Sequence, residues 1–204
     1  MNLTYRLNNI LFLDIETVPE VTLESREWYS KASVREAKYC RNIPEGVSPA
    51  ERYRERVWLF PEFGKVVCIS LGYMRKGELS TKSYMWPEKE LLESFTYDID
   101  LLVKRWTSTF CGHNVVGFDI PFLMKRFLMN ELILPRFLWF VDQKPREVKI
   151  VDTMKLRKFT WWSSTSLEVL CLCLWIKSPK TTLSWSQVKD VFYWGTQEGE
   201  KERM

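Results

Sequence analysis

A chain of 204 residues with 46% hydrophobic content is long enough to bury a sizeable core, which argues against a disordered polypeptide. Thirty basic against 26 acidic side chains leave a net charge of +4, compatible with a nucleic-acid partner without arguing for one. Five cysteines without framework spacing and a single histidine argue against a disulfide scaffold and against a zinc site.

The opening nine residues are polar and do not read as a secretory leader. No apolar run approaches the roughly 20 residues that span a bilayer, so reduced thiols and a cytoplasmic setting are expected. Residues 9–17, NILFLDIET, form a short apolar run with polar bounds and are expected to be a buried strand. Its two-residue period puts Asp14 and Glu16 on one face, and two like charges held that close suit a divalent cation between them. Residues 20–60 read as a helical insertion, with helices at 25–40 and 48–58. Basic and aromatic residues interleave there and could clamp nucleic acid, but Glu24, Glu27, Glu36, Glu45, Glu51 and Glu55 dilute the charge. A solvated insertion is the favoured reading.

Residues 65–74 are expected to form a strand and 78–85 its hairpin partner, so that with the first strand they make an antiparallel meander. Residues 88–106 carry Leu91, Leu92, Phe95, Ile99, Leu102 and Trp106 at helical spacing. A short strand follows at 109–111. The segment Gly112-His113-Asn114-Val115-Val116-Gly117-Phe118-Asp119 leads into a second helix marked by Phe122, Leu123, Phe127 and Leu128. Asp119 falls at that helix start, where the helix dipole and free backbone N–H groups should keep its carboxylate ionised. Residues 135–145 read as irregular and 148–151 as a strand. Asp152 can be the N-cap of the next helix or a metal ligand, and the cap is favoured. Thr165-Ser166-Leu167-Glu168 reads as a capping box before a helix at 167–176, in which Cys171 and Cys173 are expected as small buried hydrophobes. A last helix is expected at 184–194. Trp161, Trp162, Trp175, Trp185 and Trp194 are expected in the core and in helix packing rather than at an interface. The order of elements gives one domain, 1–204, of α/β class: a mixed central sheet, antiparallel meander then parallel strands, flanked by helices.

Asp14-Ile15-Glu16-Thr17 on a first strand, followed by Asn114-x-x-x-Phe118-Asp119, resembles the first two motifs of the DnaQ-like (DEDD) 3'-5' exonucleases. The nearer resemblance is to the predicted exonucleases related to the proofreading domain of family B DNA polymerases. Their first motif runs on into Val-Pro, as Val18-Pro19 does here, and the segments Glu62-Phe63-Gly64-Lys65 and Cys111-Gly112-His113-Asn114 are similar too. The likeness covers residues 9–195. It implies a ribonuclease H-like fold and hydrolysis of phosphodiester bonds at a 3' end, with single-stranded DNA the expected substrate and a polymerase or repair protein a possible partner. It also implies two ions of Mg²⁺ or Mn²⁺, about 3.5 to 4 Å apart in such centres. In that scheme Asp14 bridges both ions, Glu16 binds the first and Asp119 the second. His113, Asn114 and Phe118 would support the substrate or the loop, and the backbone around Thr17 would contact the terminal nucleotide.

The family's third motif places a Tyr or His before a final metal-binding Asp, and here the pattern departs. The last aspartate is Asp190, with Ser186 four and Trp185 five residues before it, and neither can serve as general base. Residues 195–204 read as the start of a helix cut short. Losing a general base lowers a rate roughly 10² to 10⁴-fold, so the expected exonuclease is an impaired one. The alternatives are a site rewired through Glu198, Glu200 or Glu202, and a catalytically inactive nucleic-acid-binding module.

Overall fold

The computed structural model describes residues 7–20, 45–47, 56–85, 87–105, 109–138, 150–156, 165–178 and 185–194. Most of the expected insertion at 20–60 lies outside these residues, as do 139–149 and the tail at 195–204 with Glu198, Glu200 and Glu202. The chain divides into two compact units, one of residues 1–16 and 66–183, the other of residues 17–65 and 184–204.

Among the described residues one sheet has five strands, β1 (Ile10–Pro19), β2 (Gly64–Arg75), β3 (Glu78–Met85), β4 (Thr109–Gly112) and β5 (Ile150–Asp152), in the order β3-β2-β1-β4-β5. β2 and β3 pair antiparallel, while β4 runs parallel to both β1 and β5, so the sheet is mixed as expected. The hairpin turn is Lys76-Gly77, both at positive φ (54° and 87°), the two-residue turn whose twist matches that of the strands it joins. Leu11, Leu13 and Ile15 of β1 are buried, whereas Asp14 between them is exposed, as the two-residue period requires.

Helix α1 (Glu88–Arg105) lays Leu91, Leu92, Phe95 and Ile99 against the sheet, and helix α2 (Asp119–Met129) adds Ile120, Phe122, Leu123 and Phe127 to the same core. Phe95 meets Tyr84 edge-on at 5.7 Å between centroids, and Phe137 bridges Phe95 to Phe110. Asp98 on α1 accepts hydrogen bonds from Tyr84 and Lys82 of β3. Burial, reinforced by that carboxylate, pushes the Tyr84 hydroxyl far above its ordinary pKa.

Glu88 and Arg126 form a buried ion pair, each 5% exposed. Arg126 Nε donates to Oε1 of Glu88 at 2.8 Å, and its Nη2 donates to Oε2. The same carboxylate accepts the backbone N–H of Val66 at 2.7 Å and the amide of Asn130 at 3.1 Å. One side chain thereby ties α1, α2 and β2 together.

Two short helices follow β5: α3 (Thr153–Leu156) and α4 (Leu167–Cys173). Ser166 caps α4 by accepting the N–H of Val169 at 3.3 Å, one residue later than the pattern from Thr165 to Glu168 places the cap, so Val169 and not Glu168 stands at the third helical position. The helix stops three residues short of the expected Ile176. Trp175 takes a left-handed conformation (φ 57°), its N–H donates to the Leu172 carbonyl, and the Ile176 N–H donates to the Cys171 carbonyl. This is the six-residue terminator that normally carries glycine at the left-handed position, where a Cβ costs about 1 to 2 kcal/mol. Trp175 is 96% exposed and so lies outside the core expected for it, because the terminator turns its side chain away from the helix. Trp175→Gly is therefore expected to raise stability by roughly 1 kcal/mol, which urea unfolding of the two proteins will measure. Cys173 is likewise exposed although Cys171 is buried, since residues two apart on a helix do not share a face.

The second unit contains helix α5 (Trp185–Trp194). Within it Tyr193 donates its hydroxyl hydrogen to the Pro19 carbonyl, and the Glu20 N–H donates to the Phe63 carbonyl at 2.7 Å. Lys65 is buried, with its ammonium 5.5 Å from the Phe192 ring centroid, 5.7 Å from that of Tyr193 and 4.0 Å from Glu20. Two ring faces and a carboxylate offset the loss of water around this cation. Among the described residues no helix is long and apolar enough to cross a membrane.

Candidate metal centre

β4 ends early, and that ending shapes the site. Its register pairs Phe12 with Cys111, so Ile15 of β1 lies beyond the last residue of β4 and has no backbone partner from it. Asp119 supplies one: its Oδ1 accepts the Ile15 N–H at 3.0 Å. The carboxyl group that opens α2 thus reaches the backbone between Asp14 and Glu16, bringing together segments 104 residues apart. Gly112 at the end of β4 permits the approach, because a Cβ there would stand 2.8 Å from the Leu13 carbonyl oxygen and 2.7 Å from Cβ of Val115.

The electrostatics around Asp119 differ from the sequence expectation. It was expected to stay ionised at a helix start, but its pKa is pushed up to about 7, first by burial and then by the charge of Asp14, with Asp152 adding a smaller push. Hydrogen bonds from its own N–H and from Ile15 pull the other way and do not prevail. Desolvation wins because Asp119 is only 3% exposed. Glu16 is half-buried with Oε2 shielded from solvent. Burial raises the Cys68 thiol on the neighbouring strand, and the Glu16 and Asp14 charges add to that shift, which marks a concentration of negative charge at this end of β1.

Asp14, Glu16 and Asp119 are, in donor chemistry, hard oxygen ligands of the kind a divalent cation takes, and the charge of Asp14 already bears on Asp119. They are not gathered into a coordination shell: among the described residues no three His, Cys, Asp or Glu side chains form a group that could hold a metal.

The loop before Asp119 is fixed from β5. Asp152 Oδ1 accepts the N–H of Asn114 at 2.9 Å and that of Met154 at 3.0 Å, and Oδ2 accepts the N–H of Val116 at 3.2 Å. The Met154 bond is the N-cap favoured from the sequence. The two loop bonds had no sequence signal, because nothing in the chain marks residues 36 and 38 apart as partners. His113 is held on both ring nitrogens, Nδ1 lying 3.0 Å from the Thr153 hydroxyl and Nε2 2.9 Å from the Thr165 carbonyl. A carbonyl only accepts, so Nε2 carries hydrogen, and the ring is committed to orienting the loop.

Asn114 sits at φ 64°, and its carbonyl accepts the N–H groups of Gly117 and Phe118, both at 2.9 Å. Its Oδ1 occupies the space a Cβ on Gly117 would need. The Phe118 ring leans on Phe122 at 5.4 Å between centroids. Thr17 belongs to the other unit, where its hydroxyl donates to the Trp58 carbonyl at 3.0 Å. Asp190 lies in α5. Comparison with models of known protein families finds no match to this chain, and comparison with curated proteins finds none either.

Proposed function

We propose that this protein is a metal-dependent 3'-5' exonuclease of the DnaQ-like kind, built on a ribonuclease H-like fold, acting on the 3' end of single-stranded DNA in the cytoplasm. The observation that carries the reading is the hydrogen bond from Ile15 to Asp119, since it unites the two motifs whose likeness suggested the family. The mixed five-stranded sheet is compatible with that fold. Asp14, Glu16 and Asp119 would hold two ions of Mg²⁺ or Mn²⁺, which when bound would activate water and stabilise the leaving 3'-oxygen. The chain's own contribution is placement. β1 carries Asp14 and Glu16, Asp119 at the start of α2 accepts the backbone N–H of Ile15 between them, and the loop at 113–118 leads into that helix.

A second reading is a nucleic-acid-binding module that does not hydrolyse. It is favoured by one observation: the only histidine is engaged at both ring nitrogens and is not free to activate water. A single-stranded DNA labelled at its 5' end separates the readings. Stepwise shortening from the 3' end in Mn²⁺, lost in Asp14→Ala, is the expected result. Retention of the oligonucleotide without shortening, unchanged in Asp14→Ala, selects the module.

A further inference from the structure

We infer that Asp152 is a positioning residue for Asp119, acting through the loop at 113–118. This rests on the reading of Asp119 as part of the metal centre. Capping a helix takes one carboxylate oxygen, and the helix behind Asp152 has only four residues. Asp152 does more than that task requires. It is 5% exposed, and two of its three accepted hydrogen bonds come from Asn114 and Val116 rather than from α3.

Those two residues need holding. Asn114 is in the left-handed region at φ 64°, which residues other than glycine seldom adopt. Val116 is the last residue that Asp152 holds before the chain turns into α2 through the bonds from Ile120 to the Val115 carbonyl and from Phe122 to the Phe118 carbonyl. Asp119 comes three residues after Val116 and places its Oδ1 3.0 Å from the Ile15 nitrogen. A continuous path therefore runs from β5 through Asp152, the loop and the first turn of α2 to β1. Moving the loop moves the Asp119 carboxyl along β1.

The test is amide hydrogen exchange on the full chain, comparing wild type with Asp152→Ala and Asp152→Asn, alongside Mn²⁺ titration. The Ile15 amide is the reporter, because its partner is Asp119 and not Asp152. It is expected to lose protection roughly tenfold in Asp152→Ala while the core amides of Ile69 and Leu92 hold theirs. Asp152→Asn keeps Oδ1 for Asn114 and Met154 and should show a smaller loss, so it decides the matter if the alanine variant does not fold. Mn²⁺ affinity should fall in the same order. Ile15 exchange at the wild-type rate while Met154, Asn114 and Val116 lose protection overturns the inference, leaving a cap and a loop clasp only. An equal loss at Ile69 and Leu92 overturns it as well, since that marks global stability. If wild type binds no Mn²⁺, the metal reading fails, and the Ile15 amide still decides the role of Asp152.

Discussion

Arg126→Ala is expected to destabilise the protein by about 3 to 5 kcal/mol, because it leaves the buried carboxylate of Glu88 without its cation. A surface pair would be worth far less, and burial decides which figure applies: both side chains are 6% exposed. The geometry strengthens the expectation. The guanidinium meets the carboxylate through two parallel N–H bonds, and the remaining acceptor capacity is taken by Val66 and Asn130. The double variant Glu88→Gln with Arg126→Met should lose clearly less than the two single variants added together, since glutamine can still accept the Val66 N–H and no charge stays buried. Urea unfolding of wild type, Arg126→Ala, the two single variants Glu88→Gln and Arg126→Met, and their double measures both quantities. A loss under about 1 kcal/mol for Arg126→Ala would mean that water reaches the pair and would refute the buried clasp.

Asp119 should make the metal-free protein less stable as pH rises. An aspartate in the unfolded chain titrates near 3.8, whereas in the folded protein this one is pushed up to about 7 by burial and by Asp14. Below pH 4 both states carry the proton and Asp119 costs nothing. Between pH 4 and 7 the unfolded chain ionises first, so the folded state loses ground, and above pH 7 the full penalty applies. At about 1.36 kcal/mol for each pH unit, a rise of about three units corresponds to roughly 4 kcal/mol. Asp119→Asn removes the ionisation and keeps an oxygen for the Ile15 N–H. In chelator, the variant should therefore match wild type near pH 4 and exceed it by a few kcal/mol at pH 8. Adding Mn²⁺ at pH 8 should raise the thermal midpoint of wild type and leave that of Asp119→Asn unmoved. Parallel stability curves from pH 4 to 8.5 would show that the carboxyl is ionised throughout and would remove the electrostatic case for a cation.

The same residue shows how far a sequence carries. Asp119 at the first turn of a helix was legible from Phe122, Leu123 and Phe127, and so was the pairing of Asp14 with Glu16 on one face of a strand. Its ionisation was not, because helix position argues for a charged carboxylate and burial argues against it. Only the packing that leaves it 3% exposed says which is larger.

Periodicity, turn chemistry and capping are local, and local signals fixed the class of each main element of the sheet unit and the order in which the elements occur. Helix ends without glycine were illegible for the same reason. Glu131 and Trp175 both take left-handed conformations that their side chains disfavour, so residue type does not mark these helix ends. The partners of Glu88 and Asp152 belong to the tertiary structure too. Buried acceptors take whichever N–H or guanidinium the fold leaves without a ladder; for Asp119 that group is the Ile15 N–H, beyond the last residue of β4, a fact held in no stretch of residues by itself.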